Sequence, residues 1–290
     1  MKRLEIFGSE LLLWRKKLLL KGGRQEDLDW LLDIAGGLRW AKLQQIYLDP
    51  SRSFMLEQPL GYLETLWYRH LEETIPLQYL VGRCPWRDFE LKVSPDALIP
   101  RQETEILMDL ALDRVEPGFK GLWADLGTGS GAIAIALAKS FPDSKGLAVD
   151  CSEGALALAK SNLKLLAPTA NVGFYLGSWW EPLSPWWGKI SLVLANPPYI
   201  PKAIFDDLDP IVRKNEPRLA LLGGEDGLNA VREIVMGSSK AIGKGGWLMI
   251  EHHHDQSHYV LELMRKEGLN DVGFETDLQG IRRFALGRNY

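Results

Sequence analysis

The chain has 290 residues, of which 46% are hydrophobic and 25% are charged, and its formal net charge at pH 7 is -4. This is the composition of an ordinary globular protein, and it excludes a chain dominated by disorder. No run of about 18 apolar residues is present, so we expect no membrane segment and a cytoplasmic location. The negative charge disfavours stable nucleic-acid binding. The two cysteines, Cys84 and Cys151, lack the spacing of metal ligands, and no metal site is expected.

The first 80 residues carry the spacing of apolar side chains that is typical of helices. Leucine and isoleucine recur three or four positions apart between Leu11 and Leu48, as they do on one face of an amphipathic helix. The pair Gly22-Gly23 and the segment DPSRS at 49–53 are typical of helix ends. We therefore predict a small N-terminal bundle of roughly four or five short helices over residues 1–80.

Residues 81–101 differ in pattern from the helical segment before them. The stretch WRDFELKVSPDALIPR, residues 86–101, alternates apolar and polar side chains on either side of Ser94-Pro95-Asp96. Such alternation is typical of β-strands, and a serine-proline-aspartate sequence is typical of a turn. The pattern predicts a β-hairpin linker over residues 81–101, with its turn at Ser94-Pro95-Asp96.

Beyond residue 101, apolar strands alternate with amphipathic helices. The strand segments are GLWADLG, KGLAVD, VGFYLG and ISLVLAN. Continuous apolar strands predict a parallel sheet covered by helices on both faces, which is a doubly wound α/β domain. The last two strands, VGFETDL and RRFALGR, are joined by only three residues, too few for a crossover helix. They must form an antiparallel hairpin at the edge of the sheet.

A glycine-rich loop, DLGTGSG, joins the first of these strands to a helix. Such a loop lets a ligand approach the backbone closely. The ligand-contacting residues expected in the loop are Gly127, Thr128, Gly129, Ser130 and Gly131. A dinucleotide site has the spacing G-x-G-x-x-G, whereas the spacing here is G-x-G-x-G, which excludes an NAD-dependent dehydrogenase. Asp125 at the mouth of the loop would repel pyrophosphate and favour the cationic amino-acid end of S-adenosylmethionine.

A second carboxylate supports the same cofactor. Asp150 ends the second strand, about 20 residues after the loop, where a carboxylate can accept hydrogen bonds from both hydroxyls of a ribose. Together, Asp125, the glycine loop and Asp150 predict a nucleotide-like cofactor, and S-adenosylmethionine is favoured.

The fourth strand ends in the tetrad Asn196-Pro197-Pro198-Tyr199, on the same carboxyl edge of the sheet as the loop. The prolines fix φ, so the tetrad presents two acceptors, the Asn196 side-chain oxygen and the Pro197 carbonyl, beside the Tyr199 ring. Two adjacent acceptors match a planar NH2 group, whose nitrogen is a poor nucleophile because its lone pair is delocalised. Holding both hydrogens would orient that lone pair towards a methyl group. We predict amino-methylation with Asn196, Pro197 and Tyr199 as catalytic residues; the tetrad alone does not distinguish glutamine from adenine.

Five motifs together indicate a family. They are DLGTGSGAIAIALA, AVDCSEGALALA, NPPYI, NEPRLALLGGEDGL and LIPRQETE. Over nearly its whole length the chain resembles the HemK-like protein-(glutamine-N5) methyltransferases, which modify peptide-chain release factors. The resemblance implies a class I S-adenosylmethionine-dependent methyltransferase of Rossmann-like fold. It also implies an N-terminal domain for partner recognition at 1–80, a linker at 81–101 and a catalytic domain at 102–290.

The resemblance also implies roles for individual residues. The family's cofactor loop falls on Gly127–Gly131, its ribose carboxylate on Asp150, and an asparagine shared by cofactor and substrate on Asn196. A tryptophan near the adenine matches Trp179, and the adjacent Trp180 stays an alternative. The substrate amide is expected to bind at the tetrad. Four further residues are expected to contribute to the wall of the site: Glu216, Pro217, Arg101 and Glu105.

The implied reaction is N5-methylation of the glutamine in the Gly-Gly-Gln motif of release factors, which act in translation termination. Its products would be N5-methylglutamine and S-adenosylhomocysteine. The alternatives are a ribosomal-protein glutamine, an amino group of a nucleic-acid base, and a noncatalytic binding module. The chain departs from the family at Gln102, where proline is usual, and at His252–His254, where a glycine is common. Adjacent strand residues point to opposite faces, so we expect these histidines to form a solvated strand end and not a metal site.

Overall fold

The protein is described by a computed structural model that covers residues 4–290. The chain divides into two compact units. The helical unit comprises residues up to Arg83 together with Pro210–Asn215, and the sheet unit comprises Cys84–Asp209 and Glu216–Tyr290. Among the described residues, no helix has both the length and the apolar character needed to cross a membrane.

The helical unit is built from amphipathic helices around an apolar core. Its helices are α1 (Gly8–Leu19), α2 (Gln25–Ile34), α3 (Trp40–Leu48), α4 (Leu60–Glu73), α5 (Leu77–Val81) and α10 (Pro210–Asn215). Leu28, Leu31 and Leu32 lie on one face of α2 and are completely buried, as the three-to-four-residue spacing predicts. Five helices, α1 to α5, lie between Gly8 and Val81, and the sequence predicts roughly four or five.

Two short strands in the helical unit are not predicted from the sequence. β1 (Leu4–Phe7) pairs in antiparallel fashion with β2 (Ser53–Leu56). Four residues are too few for alternation to stand out from a helical pattern. The pairing also joins segments at opposite ends of three helices, which no local signal reveals.

A β-hairpin lies within the range of the predicted linker, but its turn is not where the sequence predicts it. β3 (Arg83–Trp86) and β4 (Phe89–Lys92) form a two-stranded sheet, and only Arg87 and Asp88 join them. Arg87 has a φ of 52°, in the left-handed region that tight hairpin turns require. The segment Ser94–Asp96 forms a separate turn, closed by the Ala97 amide donating to the Ser94 carbonyl at 3.2 Å.

A seven-stranded sheet forms the centre of the sheet unit, in the order β10-β11-β9-β8-β5-β6-β7. Its strands are β5 (Leu122–Leu126), β6 (Lys145–Asp150), β7 (Val172–Leu176), β8 (Ile190–Ala195), β9 (Ile242–Glu251), β10 (Asn270–Thr276) and β11 (Arg282–Arg288). The strands from β5 to β9 are parallel. β11 pairs in antiparallel fashion with both β9 and β10, which confirms the predicted edge hairpin.

Helices cover both faces of this sheet. They are α6 (Thr104–Arg114), α7 (Ala132–Ser140), α8 (Glu153–Leu166), α12 (Asn229–Ala241) and α13 (Ser257–Lys266), with short helices α9 (Lys202–Phe205) and α11 (Arg218–Leu221). Along β8, Leu192 packs in one core with α6 and α7, whereas Val193 packs in the other core with α12 and α13. Because successive strand residues point to opposite faces, burial on both faces explains the continuous apolar sequence.

The strand order reverses beside β5. From β5 the chain proceeds outward through β6 to β7, and it then returns to β8 on the other side of β5. Ligands of open α/β sheets bind at such a reversal, beyond the carboxyl ends of the strands. The segment after β5 is the glycine loop, and the segment after β8 is the tetrad 196–199, so the fold brings both to one place.

Candidate active site

Two neighbouring cavities lie at the carboxyl ends of β5, β6 and β8. The first has a volume of about 210 Å³ and the second about 260 Å³. Both are lined by Gly127, Asp150, Trp179 and Pro198, and Asn196 lines the first. The residues predicted from the glycine loop, from the end of β6 and from the tetrad therefore meet at one site.

The conformation of the glycine loop requires glycine. Gly127, Gly129 and Gly131 have φ values of 79°, 55° and 86°, which side chains with a Cβ rarely adopt. A Cβ on Gly131 would also lie 3.2 Å from Ala159 on α8. Four of the five loop amides, all except that of Ser130, donate to acceptors within the protein. The loop thus offers a close backbone surface with few of the N–H groups that a phosphate needs.

The predicted position of Asp125 at the mouth of the loop is wrong. Asp125 is completely buried beneath the loop and is not among the residues that line the two cavities. Its Oδ2 accepts from the Thr128 hydroxyl at 2.7 Å and from the Ala134 amide at 3.1 Å. Burial raises the pKa of this carboxyl to about 7. Asp125 therefore fixes the shape of the loop from below.

Asp150 lies where the sequence predicts, with its carboxylate facing both cavities. Its Oδ2 accepts from the Gly129 amide at 2.8 Å, and its Oδ1 accepts from the Ser152 amide at 2.9 Å. Burial raises the pKa of Asp150, and these hydrogen bonds act in the opposite direction. A carboxylate has about four acceptor positions. The acceptor positions that backbone amides leave free are available to hydroxyl groups of a ligand.

The two adjacent tryptophans have different environments. Trp179 lines both cavities and has a φ of 43°. A Cβ on Gly127 would lie only 3.3 Å from its ring, so the ring packs directly over the loop. Trp180 is buried in the core and donates its indole N–H to the Ile234 carbonyl at 2.9 Å. Of the two, Trp179 is the residue that faces the cavities.

The tetrad is held by hydrogen bonds that the sequence analysis missed. Asn196 Nδ2 donates to Thr104 Oγ1 at 2.9 Å, and the Thr104 hydroxyl donates to Glu251 Oε2 at 2.7 Å. The Tyr199 hydroxyl donates to the other oxygen of Glu251, Oε1, at 3.1 Å. Burial raises the pKa of Glu251 to about 7, and burial and the adjacent Glu251 raise the pKa of Tyr199. Pro197 is buried, and neither it nor Tyr199 is among the residues lining the cavities.

One of the missed residues carries a sequence signal. Glu251 ends the apolar run WLMI of β9 at the same carboxyl edge as Asp150 and Asn196, so the strand-end rule applied to the other two could also have identified it. Thr104 is the first residue of α6. Its partners lie 92 and 147 positions away along the chain, and nothing local indicates them.

The expected wall of the site is present in part. Arg101 and Pro217 line the first cavity. Arg101 forms a 2.6 Å ion pair with Glu216, which is 5% exposed and also accepts from the Ile99 amide at 3.0 Å. Glu105 instead accepts from the Arg87 amide at 3.0 Å and supports the hairpin β3–β4.

Comparisons with known proteins identify the family. The Methyltransferase small domain matches residues 102–208, a range that contains the glycine loop, Asp150 and the tetrad. A release factor glutamine methyltransferase of Prochlorococcus marinus is 56% identical over 281 residues, which are 96% of this chain and 96% of the relative. The chain belongs to the release factor glutamine methyltransferases. A second member, from Synechocystis sp., is 38% identical over 98% of this chain and 97% of its own.

The family resemblance predicted from the motifs is thus confirmed, and the relatives match this chain over both units. The hMettl16 catalytic domain, in complex with MAT2A 3′UTR hairpin 6, is similar in fold with a TM-score of 0.57. This similarity covers 82% of this chain and 84% of that chain, at 14% identity. At this identity the likeness concerns the fold alone, and it agrees with the predicted methyltransferase fold.

The histidine run is only partly the solvated strand end that the sequence predicts: His254 is exposed and His253 is half-buried, but His252 is not solvated. His252 is completely buried, directly after β9, and its amide donates to the Arg283 carbonyl at 2.8 Å. Burial lowers the pKa of its imidazole. His253 pairs with Asp255 at 2.6 Å and packs 6.3 Å from the Tyr199 ring. Within residues 4–290, no three His, Cys, Asp or Glu side chains converge as metal ligands would.

Proposed function

We propose that the protein methylates N5 of the glutamine side chain in the Gly-Gly-Gln motif of peptide-chain release factors. The methyl donor is S-adenosylmethionine, and the products are N5-methylglutamine and S-adenosylhomocysteine. One observation carries the proposal: Asn196 lines the same cavity as the glycine loop and Asp150. A site that holds an amide acceptor beside a nucleoside-binding carboxylate suits methyl transfer to an NH2 group.

The residues around the cavities suit S-adenosylmethionine better than a dinucleotide. Most loop amides are already engaged within the protein, which suits a ligand without phosphates. When bound, S-adenosylmethionine supplies an electrophilic methyl group on a sulfonium. Asp150 has acceptor positions for the two ribose hydroxyls, and the Trp179 ring offers a surface for the adenine. The proposed cofactor-binding residues are Gly127, Thr128, Gly129, Ser130, Gly131, Asp150, Trp179 and Asn196, with Asp125 supporting the loop from below.

The tetrad is proposed to hold the substrate amide. Asn196 Nδ2 donates to Thr104, which leaves its Oδ1 available to accept one hydrogen of a substrate NH2 group. The Pro197 carbonyl is the proposed acceptor of the second hydrogen, Pro198 forms the adjoining cavity surface, and Tyr199, held by Glu251, supports the tetrad. Two acceptors restrain the NH2 group and align its lone pair with the methyl group, so positioning and electrostatics supply the catalysis. The proton that the nitrogen loses after attack passes to solvent.

The proposed protein substrate follows from two relatives that match 96% and 98% of this chain. Both relatives are release factor glutamine methyltransferases. A glutamine that follows two flexible glycines can enter a cavity of about 210 Å³ without unfolding of the partner. The helical unit, which the relatives share, is proposed to contact another surface of the release factor.

A methyl-transfer assay with four substrates tests the proposal. Methyl-labelled S-adenosylmethionine is supplied with a release factor, with the same factor carrying Gly-Gly-Ala, with ribosomal protein, and with DNA. We expect label on the release factor only, and its loss with Gly-Gly-Ala. Label that persists on the Gly-Gly-Ala factor, or that is found only on ribosomal protein or DNA, would refute the proposed substrate.

A further inference from the structure

Three side chains from separate elements form a hydrogen-bonded chain behind the substrate-facing end of Asn196. Asn196 Nδ2, after β8, donates to Thr104 Oγ1 at the start of α6, at 2.9 Å. Thr104 Oγ1 donates to Glu251 Oε2, at the end of β9, at 2.7 Å. Thr104 is 5% exposed and Glu251 is 1% exposed. Bulk water therefore has little access to replace either partner.

The direction of each hydrogen bond follows from the chemistry of Glu251. In its ionised form, which predominates above about pH 7, the Glu251 carboxylate only accepts, and a threonine hydroxyl has a single hydrogen. Because Thr104 gives that hydrogen to Glu251, its oxygen can only accept from Asn196. Asn196 must then turn its NH2 group towards Thr104 and its Oδ1 away from it. The two ends of a side-chain amide are nearly equal in shape, so packing alone does not select this orientation.

We propose that Thr104 and Glu251 are positioning residues that fix which end of the Asn196 amide faces the substrate. This inference rests on the proposed function, in which Asn196 Oδ1 accepts from the NH2 group of glutamine. A reversed Asn196 would place its own NH2 group against that of the substrate, and two donors cannot pair. Glu251 also accepts from the Tyr199 hydroxyl at 3.1 Å, so one carboxylate orients both ends of the tetrad.

Two substitutions at Thr104 separate orientation from packing. Thr104→Val keeps the shape of the side chain and removes the acceptor, whereas Thr104→Ser keeps the hydroxyl and removes a methyl group. In Thr104→Val, the productive orientation of Asn196 leaves its buried NH2 group without a partner. We expect kcat/KM for a Gly-Gly-Gln substrate to fall between about tenfold and a hundredfold, partly through a higher KM. Thr104→Ser should restore kcat/KM to within about threefold of wild type.

A third variant tests the other end of this hydrogen-bonded chain. Glu251→Gln is isosteric but has an NH2 group, which allows the chain to run in the opposite direction. We expect kcat/KM to fall by about tenfold. For all three variants, calorimetry should give a dissociation constant for S-adenosylhomocysteine within about threefold of wild type, since the glycine loop, Asp150 and Trp179 keep their proposed cofactor contacts and only the orientation of Asn196 changes.

The results distinguish this inference from the proposed function. Wild-type enzyme that fails to methylate the Gly-Gly-Gln substrate refutes the proposed function itself. If wild type is active, the positioning role is refuted when Thr104→Val and Glu251→Gln both keep kcat/KM within about threefold. The role is also refuted when Thr104→Ser loses as much kcat/KM as Thr104→Val. It is refuted as well when kcat of the variants falls in proportion to their folded fraction while KM is unchanged. If Thr104→Val does not fold, Glu251→Gln decides alone.

Discussion

The pH dependence of the free energy of unfolding tests the burial of Glu251 without relying on catalysis. Its carboxyl is 1% exposed, and burial raises its pKa from 4.5 to about 7. Hydrogen bonds from Thr104 and Tyr199 and the charge of Arg283 lower the pKa, and Glu103 raises it, but burial is the largest effect. Between these two pH values the native protein binds a proton that the unfolded chain does not bind. The stability that this proton supplies is fully present below pH 4.5 and is lost as the pH rises through 7.

The size of the effect follows from the two pKa values. A native-state pKa of about 7 against 4.5 in the unfolded chain makes the free energy of unfolding about 2.5 kcal/mol larger at pH 5 than at pH 8. Glu251→Gln carries the neutral isostere of the protonated side chain at every pH, so it lacks this contribution. The stability of wild type should therefore decline by about 2.5 kcal/mol more than that of Glu251→Gln between pH 5 and pH 8. Asp125 is present in both proteins, and its own raised pKa cancels in the comparison.

Urea unfolding followed by circular dichroism, at pH 5, 6, 7 and 8 and constant ionic strength, measures this difference. Glu116→Gln is a matched control, because Glu116 belongs to the same unit and its side chain is exposed. The control should keep the pH dependence of wild type. A difference between wild type and Glu251→Gln that stays constant from pH 5 to pH 8 would show that Glu251 does not bind a proton on folding, and the reasoning from burial would be wrong.

Three further predictions concern the cavities. Asn196→Ala should lower kcat by about a hundredfold to a thousandfold through loss of an acceptor; near wild-type turnover in the release-factor assay would contradict the role of its amide. Asp150→Ala should weaken S-adenosylhomocysteine binding by about tenfold or more, since two charged hydrogen bonds to ribose are lost. An unchanged affinity in calorimetry would count against that assignment. Gly131→Ala, at a φ of 86° and with a Cβ 3.2 Å from Ala159, should lower the free energy of unfolding by about 1–3 kcal/mol. The same substitution at Gly61, in α4 with open space around its Cβ position, is the control and should not destabilise.

The central sheet could be predicted because its physical origin is visible locally. Strands such as β8 are buried on both faces, so their residues are apolar without interruption, and a helical period separates one strand from the next. The short connection between the segments predicted as the last two strands decided their direction. The turn between β3 and β4 could not be predicted in this way. Between β3 and β4 only Asp88 is a residue type that favours turns, whereas all three residues of Ser94-Pro95-Asp96 are, so the second segment gave a stronger but misleading signal.

The residues of the site could likewise be predicted where their signal is local and not where it depends on the tertiary fold. Asp150 and Asn196 could be predicted because each ends an apolar strand, and parallel strands end at one edge. Asp125 was assigned to the right loop but to the wrong side of it, because a sequence does not show whether a carboxylate faces a ligand or the loop beneath. The prediction of a solvated His252 was wrong for a similar reason, since the burial of a residue after a strand end depends on which segments pack over that end. Thr104 could not be found, because its partners are brought to it only by the tertiary fold.

The pairing of β5 with β8 has a consequence for how substrate range can change within this site. Leu126 and Ala195 are partners in adjacent parallel strands, and the next residues of those strands begin the glycine loop and the tetrad. The distance between the start of the glycine loop and the start of the tetrad is thus set by one interstrand spacing, about 4.8 Å. No flexible connection lies between the two strands at this point. This separation cannot be adjusted without breaking sheet hydrogen bonds. A protein that accepts a different amide must therefore differ in the surrounding wall, in segments such as 97–101 and 217–220, which line the cavity without belonging to the sheet.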